Sequence, residues 1–278
     1  MDGLEGTRYM IDSYYVELLE LESIVQGESG FELEYAEKLS LNTAIEKLRM
    51  QITSSSLVTG KAKVTAESIW EDWFDTVKAD VFISHSSANK GTAVQFANWL
   101  YRNFGLKSFV DSQFWLKIND LQAEFDKTLM YKKTVLDEYG LPHKECFYSY
   151  AKRNQSTAHV HALLSYALTK MIQKTPYFIF IKSKDSVSFE DSIENLTSPW
   201  IFHELAVVDL LLNAKRELLY EKAMEFSQPE VLYPMLGNCL KELNADKLKI
   251  WKKLYEDKKN AEPFSILEDI FLPQVKSV

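Results

Sequence analysis

The segment at residues 80–87 constrains the fold more than any other part of this chain. Its apolar run Val-Phe-Ile lacks polar alternation, which is typical of a strand buried on both faces of a parallel sheet. The run ends abruptly in Ser-His-Ser-Ser, and apolar residues then recur at helical spacing from Ala93 to Tyr101. The segment therefore predicts a strand, a polar loop and a helix of an α/β fold.

Two more apolar segments predict further strands of the same sheet. One covers residues 107–111 and ends in an acid, and the other covers residues 177–183. Because ligands bind at the carboxyl ends of strands in open α/β sheets, polar residues at those ends are candidate binding residues. They are Ser84, His85, Ser86 and Asp111.

Residues 198–205, Ser-Pro-Trp-Ile-Phe-His-Glu-Leu, are typical of a helix start. Ser198 can accept a free backbone amide as the N-cap, and Pro199 suits the first helical position, where its missing N–H is not needed. Trp200 and Glu204 are four residues apart and share one helix face, as either a structural or a catalytic pair. A separate apolar stripe is expected to anchor the helix to a core. It consists of Ile201, Leu205, Val208 and Leu212.

These segments, in this order, resemble a Toll/interleukin-1 receptor (TIR) domain over roughly residues 79–212. The resemblance is carried by the first strand with its Ser-His-Ser-Ser loop, the Phe-Val-Asp at residues 109–111, the third strand and the W-x-x-x-E helix. It is closest to bacterial TIR-like proteins, which often carry a stretch similar to residues 157–161 before the third strand. The resemblance implies a flavodoxin-like α/β fold, a parallel sheet with helices on both faces.

The resemblance also implies a chemistry. Many TIR domains cleave the nicotinamide–ribose bond of NAD, and the Glu of W-x-x-x-E is their catalytic residue, so this role is carried to Glu204. The nicotinamide leaves as a neutral molecule without a general acid, and one carboxylate can stabilise an oxocarbenium-like ribose. NAD is then a substrate, and no cofactor is expected. The expected setting is bacterial anti-phage signalling, with ADP-ribose or a cyclic or conjugated form of it as product, read in the latter case by a separate effector.

Each candidate residue also has a purely structural interpretation. Glu204 can cap or pair within the fold, and Trp200 can be a stacking wall for the ligand or a pillar of its helix. The side chains after the first strand can meet a ribose or phosphates at a helix start, or serve only as turn and cap. Asp111 can hold a ribose hydroxyl or merely end its strand. Trp115 is expected to cover an adenine or nicotinamide ring as part of a lid.

Two other functions fit the same pattern. One is a non-enzymatic TIR scaffold or adaptor that acts by protein–protein assembly. The other is an enzyme similar to nucleoside deoxyribosyltransferases, which also act on N-glycosidic bonds with a Glu. Self-association through TIR surfaces is expected from the resemblance, because family members often complete the pocket across a subunit interface.

Composition excludes several classes. The formal net charge of -8 argues against duplex nucleic acid or an anionic membrane as the main partner. Two cysteines, Cys146 and Cys239, make no disulfide framework and fit a reducing cytoplasm. The sequence shows no secretory signal, no run of ~20 apolar residues and no phosphate-loop or dinucleotide fingerprint. His159 and His161 are two apart and cannot chelate together on a helix, so no metal is expected.

The chain is predicted to have two parts. Residues 1–77 are predicted to be an N-terminal α-helical segment, and residues 78–278 a TIR-like domain with a helical C-terminal extension. Within that domain, residues 112–155 are predicted to be an insertion that lids or edges the site, with a long amphipathic stretch from Trp115 to Leu136 in which a helix is expected.

Three smaller features complete the prediction. A helix is expected over residues 160–172, and residues 231–233 are the expected fourth strand. Asn244 is expected to cap a helix near the C-terminal end.

Overall fold

The computed structural model describes residues 11–26, 79–110, 112, 130–136, 139, 141–148, 150–190, 193–223, 240–258 and 261–272. Its strands are β1 (Asp12–Glu17), β2 (Val81–Ser84), β3 (Ser108–Val110), β4 (Met130–Leu136), β5 (Pro142–Tyr148), β6 (Tyr177–Lys182), β7 (Val187–Glu190), β8 (Ile193–Leu196) and β9 (Lys241–Glu242). Its helices are α1 (Leu18–Val25), α2 (Lys90–Phe104), α3 (Tyr150–Lys174), α4 (Pro199–Ala223), α5 (Ala245–Asp257) and α6 (Pro263–Phe271), with a short 3-10 helix at Ser87–Asn89.

The described residues divide into two compact units. The first contains residues 11–26, 79–110 and 171–272, and the second contains residues 112–170, with the gaps given above. The first unit is built on a five-stranded sheet whose pairings are all parallel, in the order β3-β2-β6-β1-β9. The predicted α/β class with a parallel sheet is therefore confirmed.

The centre of this sheet is buried on both faces, as the apolar runs predict. All four residues of β2 and the central four of β6 are buried. Phe82 is in register with Phe109 on one side and Phe178 on the other. The rings of this row have centroids 5.2 and 5.5 Å apart, which suits aromatic packing.

The helical prediction for residues 1–77 is wrong at residues 12–17. Asp12–Glu17 form β1, which is paired with β6 along its whole length and with β9 at Tyr14 and Tyr15. Tyr14 and Val16 are fully buried, and helix α1 begins only at Leu18. The Tyr-Tyr-Val run has strong β propensity, and the sheet satisfies its backbone groups on both sides. Residues 27–78 lie outside the described residues.

β1 occupies the sheet position next to β6. Residues 231–233 are the expected fourth strand. Those residues lie outside the described part of the chain. A strand from the N-terminal segment thus completes the sheet beside a strand more than 160 residues further along the chain.

Helix ends follow local signals. Helix α2 ends at Gly105, whose N–H donates to the carbonyl of Tyr101. Gly105 has a φ of 72°, the left-handed conformation that glycine tolerates best. Asn244 caps α5 as predicted, since its Oδ1 accepts the N–H of Lys247 at 3.0 Å. Glu262 caps α6 in the same way at Ser265, 2.7 Å away.

The C-terminal helices α5 and α6 pack through aromatic side chains. Trp251 is fully buried, stacks on Phe104 at 4.1 Å and donates its indole N–H to the carbonyl of Pro263. Phe264 stacks on Tyr177 at the start of β6, with centroids 3.3 Å apart. These contacts fasten the helical C-terminal region to the sheet.

In the second unit, the predicted amphipathic stretch from Trp115 to Leu136 is not helical at its end. Met130–Leu136 form β4, which pairs antiparallel with β5 from Met130 opposite Tyr148 to Leu136 opposite Pro142. The Gly-Leu-Pro at residues 140–142 favours a chain reversal, and the Tyr, Thr and Val of β4 favour strand. Residues 113–129, with Trp115, lie outside the described residues. The helix expected at 160–172 is confirmed and extends over the bounds of α3.

None of the helices in the described ranges is long and apolar enough to cross a membrane.

Candidate functional site

The order of the strands locates a switch point in the sheet of the first unit. From β2 the chain moves to β3 on one side, and it then returns past β2 to β6 on the other. The strand order therefore reverses between β2 and β6, and the carboxyl ends at such a switch point commonly bind ligands in open α/β folds. Ser84 is the last residue of β2, and His85 and Ser86 follow it at this place, as predicted.

The central contact of the site joins Ser84 and Glu204. The Ser84 hydroxyl donates to Glu204 Oε2 at 2.6 Å, although the two residues are 120 positions apart. Both residues have 0% exposure. The distance is that of a hydroxyl–carboxylate hydrogen bond, which is stronger than a bond between neutral groups when the carboxylate is ionised.

The local sequence explains how α4 presents this carboxylate. Pro199 is the first helical residue, and Ser198 accepts the N–H of Ile201 at 3.5 Å and, through its carbonyl, that of Phe202 at 3.0 Å. The helix start therefore follows the prediction, and Glu204 lies in its second turn.

The face on which Glu204 lies differs from the prediction. The buried residues of the first part of α4 are Ile201, Glu204, Val207 and Val208. Glu204 is thus part of the buried stripe, whereas Leu205 and Leu212 of the expected stripe are only half-buried. The physical reason is that Ser84 supplies a hydrogen-bond donor at this position of the core, so a carboxylate can be buried there.

The other predicted residues have mixed placements. Trp200 is half-buried in the first turn of α4. His85 is 3% exposed directly after β2, and Ser86 is buried and caps the short 3-10 helix, where its Oγ accepts the N–H of Ala88 at 3.3 Å. The cap interpretation of Ser86 is therefore confirmed. Asp111 and Trp115 lie outside the described residues.

A second polar contact joins the loops after β2 and β6, and the sequence prediction did not include it. The hydroxyl of Ser183, the residue after β6, donates to Oδ1 of Asn89 at 2.6 Å. The Asn89 amide in turn donates to Asp185 at 3.5 Å. The loop after β2 and the loop after β6 are thus linked by side chains. The polar residues directly after the third apolar run were a sequence signal for this contact, but no local pattern predicts that their partner is Asn89.

Hydrogen bonds also connect the β6 loop to the start of α4. Ser186 is fully buried, and its hydroxyl accepts the N–H of Ser183 at 2.8 Å. Thr197, one residue before the N-cap of α4, donates its N–H to the carbonyl of Ser186 at 3.1 Å and its hydroxyl to the carbonyl of Asp185 at 2.6 Å. The intervening hairpin of β7 and β8 therefore starts and ends at the site.

The site offers one buried carboxylate, that of Glu204, which is hydrogen-bonded to the hydroxyl of Ser84. Among the described residues, no group of three or more His, Cys, Asp and Glu side chains is arranged to hold a metal ion. A carboxylate in a site that excludes water interacts with a developing positive charge more strongly than one in solvent.

An open depression of about 360 Å³ lies elsewhere, where α1 and α5 begin. It is lined by Leu19, Glu20, Ser23, Asn244, Ala245 and Asp246. Glu20 accepts the N–H of Ala245 there at 2.9 Å, which is a structural helix cap. The depression is therefore separate from the Glu204 site.

No protein-family model matches this chain, and neither a curated protein nor a solved structure matches it significantly. The assignment of a function therefore rests on the residues of the site.

Proposed function

We propose that this protein is a TIR-like enzyme that cleaves the N-glycosidic bond between nicotinamide and ribose in NAD, with Glu204 as its catalytic carboxylate. The observation that supports the proposal is the water-excluded carboxylate of Glu204, held by Ser84 at the carboxyl end of β2 beside the strand-order reversal. A charged or hydrogen-bonding group in such a place is well suited to stabilise charge that develops during a reaction.

In the proposed reaction the bond between ribose C1′ and the pyridinium nitrogen breaks first. Its electron pair moves to that nitrogen, so nicotinamide leaves neutral and the ribose becomes an oxocarbenium-like cation. Glu204 stabilises this cation, and water or another hydroxyl or amine nucleophile attacks C1′ and loses a proton. Ser84 keeps the carboxylate in one orientation. The product is ADP-ribose, or a cyclic or conjugated form that a separate effector reads in anti-phage signalling in the cytoplasm.

Substrate contact in this proposal requires an opening of the site. Glu204 and Ser84 have no exposed surface, and the loops after β2 and β6 are linked by Asn89. The isolated protein is therefore proposed to have low activity that rises when self-association or a trigger opens the site.

One observation favours a second function, that of a non-enzymatic TIR scaffold. The complete burial of Glu204 and its bond to Ser84 are also what a structural carboxylate between a strand and a helix would show. In that case the carboxylate serves the fold, and assembly is the activity.

One assay separates these functions. The purified protein is incubated with NAD and, separately, with free nucleosides, while release of nicotinamide or base is followed by chromatography and the product is identified by mass spectrometry. NAD cleavage supports the proposal, base exchange on nucleosides alone supports a nucleoside transferase, and neither reaction supports the scaffold.

Glu204→Gln tests the assigned residue. It preserves the shape of the side chain and removes its charge, so turnover of NAD is expected to fall about 100-fold or more. The control is Glu22→Gln, a change at an exposed position of α1. Thermal unfolding curves of all proteins show whether the variants are folded, and a folded Glu204→Gln protein with turnover within threefold of wild type would remove Glu204 from the mechanism.

A further inference from the structure

The contacts of the site form a closed ring. Ser84 at the end of β2 binds Glu204 on α4. Asn89, five residues after Ser84, binds Ser183 and Asp185 in the loop after β6. Asp185 and Ser186 of that loop accept two hydrogen bonds from Thr197, seven residues before Glu204. The position of α4 relative to β2 is therefore set at two points, by Ser84 directly and by Asn89 through the β6 loop.

The burial of the ring members shows which contact matters most. Asn89 is 9% exposed and Ser183 is 8% exposed, so their 2.6 Å bond is largely removed from water. Breaking it leaves a buried polar atom without a partner, which is more costly than loss of a bond at the surface. Asp185 and Thr197 are exposed. Asn89 is therefore the buried member that joins the two loops.

We infer that Asn89 is a positioning residue: it holds the β6 loop, and with it the first turns of α4, so that Glu204 stays buried against Ser84. The inference rests on the proposed function, because it assigns Asn89 a role in placing the catalytic carboxylate. Asn89 acts through other residues and does not itself contact the reacting atoms. Its amide suits this role because it accepts from Ser183 with one atom and donates to Asp185 with the other.

The pairing of Asn89 with Asp185 permits an exchange experiment. Asn89→Asp keeps an acceptor for Ser183 but loses the donor for Asp185, and it places two carboxylates side by side. Adding Asp185→Asn restores the hydrogen bond in the opposite direction, because the amide at position 185 can now donate to the carboxylate at position 89. If each substitution only destabilised the protein, the two losses of stability would add in the double variant. If the two side chains are in direct contact, the double variant restores the hydrogen bond and recovers part of the loss.

The readout is the accessibility of the Glu204 carboxylate, which does not depend on NAD. Wild type, N89D, D185N and the double variant are treated with a water-soluble carbodiimide and glycine ethyl ester, and modification at position 204 is measured by peptide mass spectrometry. Loss of the contact is expected to raise the labelling rate of Glu204 about two- to tenfold in N89D, the range that corresponds to one hydrogen bond. The double variant is expected to return to within about twofold of wild type. Exposed Glu22 serves as the internal reference and is expected to label equally in all four proteins.

Two further variants keep the test decisive if N89D does not fold. Ser183→Ala removes the buried bond to Asn89 and is expected to raise labelling, whereas Ser183→Thr retains the hydroxyl and is expected to stay near wild type. If the protein cleaves NAD, N89D is also expected to raise the activity of the isolated protein, because it loosens the link that keeps the site closed, and the double variant is expected to return to the activity of wild type. Unchanged Glu204 labelling in folded N89D and S183A, or a double variant no closer to wild type than N89D, would overturn the role of Asn89. Absence of NAD cleavage with the expected labelling would instead overturn the proposed function and leave the role of Asn89 standing.

Discussion

The hydroxyl of Ser84 and the carboxylate of Glu204 are removed from water together, and this sets the strength of their contact. A buried carboxylate is tolerated only when hydrogen bonds replace its hydration, and Ser84 provides one of them at 2.6 Å. The hydroxyl of Ser84 therefore helps α4 to bury an acid in its apolar stripe.

Ser84→Ala is expected to lower the free energy of unfolding by about 1.5–3 kcal/mol, the range for a hydrogen bond to a charged group. NAD turnover is expected to fall as well, because the carboxylate loses its fixed orientation. Chemical denaturation measures the first effect, and Ser23→Ala provides the control, since the Ser23 hydroxyl makes a local bond to Glu20 at an exposed position. Equal stabilities of the Ser84 and Ser23 variants would contradict the structural importance of the contact.

A second prediction at the residue scale concerns the effect of the Tyr14 hydroxyl on stability. Within the described part of the chain, its buried hydroxyl has no hydrogen-bond partner, although its ring packs on Phe264 and Phe271. Tyr14→Phe keeps the ring and removes this hydroxyl. The substitution is therefore expected to raise the free energy of unfolding by about 1 kcal/mol at neutral pH, as measured by chemical denaturation. A lower stability would mean that the hydroxyl has a favourable contact.

The same tyrosines predict a dependence on alkaline pH. Burial, together with nearby carboxylates such as Asp12 and Glu268, raises the pKa of Tyr14 and of Tyr177 above the ordinary value of 10.0. The folded state thus retains protons that the unfolded state loses above pH 10. Stability is expected to be constant up to that pH and to fall above it, by at most about 1.4 kcal/mol per pH unit for buried Tyr14 and by less for the partly exposed Tyr177. Tyr14→Phe should reduce the slope measured by denaturation between pH 9 and 11, roughly the range around the ordinary tyrosine value.

At the scale of elements, the sheet depends on a strand that is distant in sequence from its partners. β1 is paired on both sides, and Val16 is completely buried in it. The strand continues directly into α1, whose residue Leu19 is 77% exposed. The two positions therefore lie in one short segment but in opposite environments.

Val16→Asp is expected to prevent folding of the first unit, because it places an unpaired carboxylate in the sheet. Leu19→Asp, the matched change at the exposed position, is expected to alter stability by no more than about 0.5 kcal/mol. Far-UV circular dichroism and thermal unfolding of both variants make the comparison. A folded Val16→Asp protein would show that the N-terminal strand is not required by the sheet.

At the scale of the whole molecule, α4 combines the site with two exposed apolar side chains. Its inner face buries Glu204, while Phe202 and Leu210 on other faces are 52% and 67% exposed. A partner that covered these two side chains would remove apolar surface from water, against the repulsion expected between copies of a chain with a formal net charge of -8. Assembly on this helix would act directly on the element that carries the carboxylate.

The specific rate of NAD cleavage is expected to rise with protein concentration, as the proposed opening by self-association requires. Leu210→Glu is expected to shift this rise to concentrations about tenfold higher, because it removes apolar contact area and adds a charge. Leu272→Glu, at an equally exposed position after α6, is the control. Sedimentation velocity run in parallel gives the oligomeric state, and a specific rate that does not change with concentration in a monomeric sample would contradict the assembly model.

Short-range patterns in the sequence determined the local elements of this protein. The unbroken apolar run of β2, the Ser-Pro start of α4 and the Asn244 cap each act through residues within a few positions of one another. Their outcome depends on propensity and capping, which a linear pattern records. The parallel sheet and the polar edge after β2 were predictable for this reason, and so was the helix that carries Glu204.

Only the tertiary structure decided which of these elements meet. Nothing near Tyr14 indicates that residues 12–17 pair with β6, because parallel neighbours are joined by long crossovers. A segment that is compatible with a helix also becomes a strand when a sheet offers it partners. The bond between Ser84 and Glu204 spans 120 residues, and the bond between Asn89 and Ser183 spans 94, so neither leaves a local signal. The burial that makes Glu204 chemically distinct is therefore a property of the folded chain, since it arises only when strand, loop and helix exclude water together.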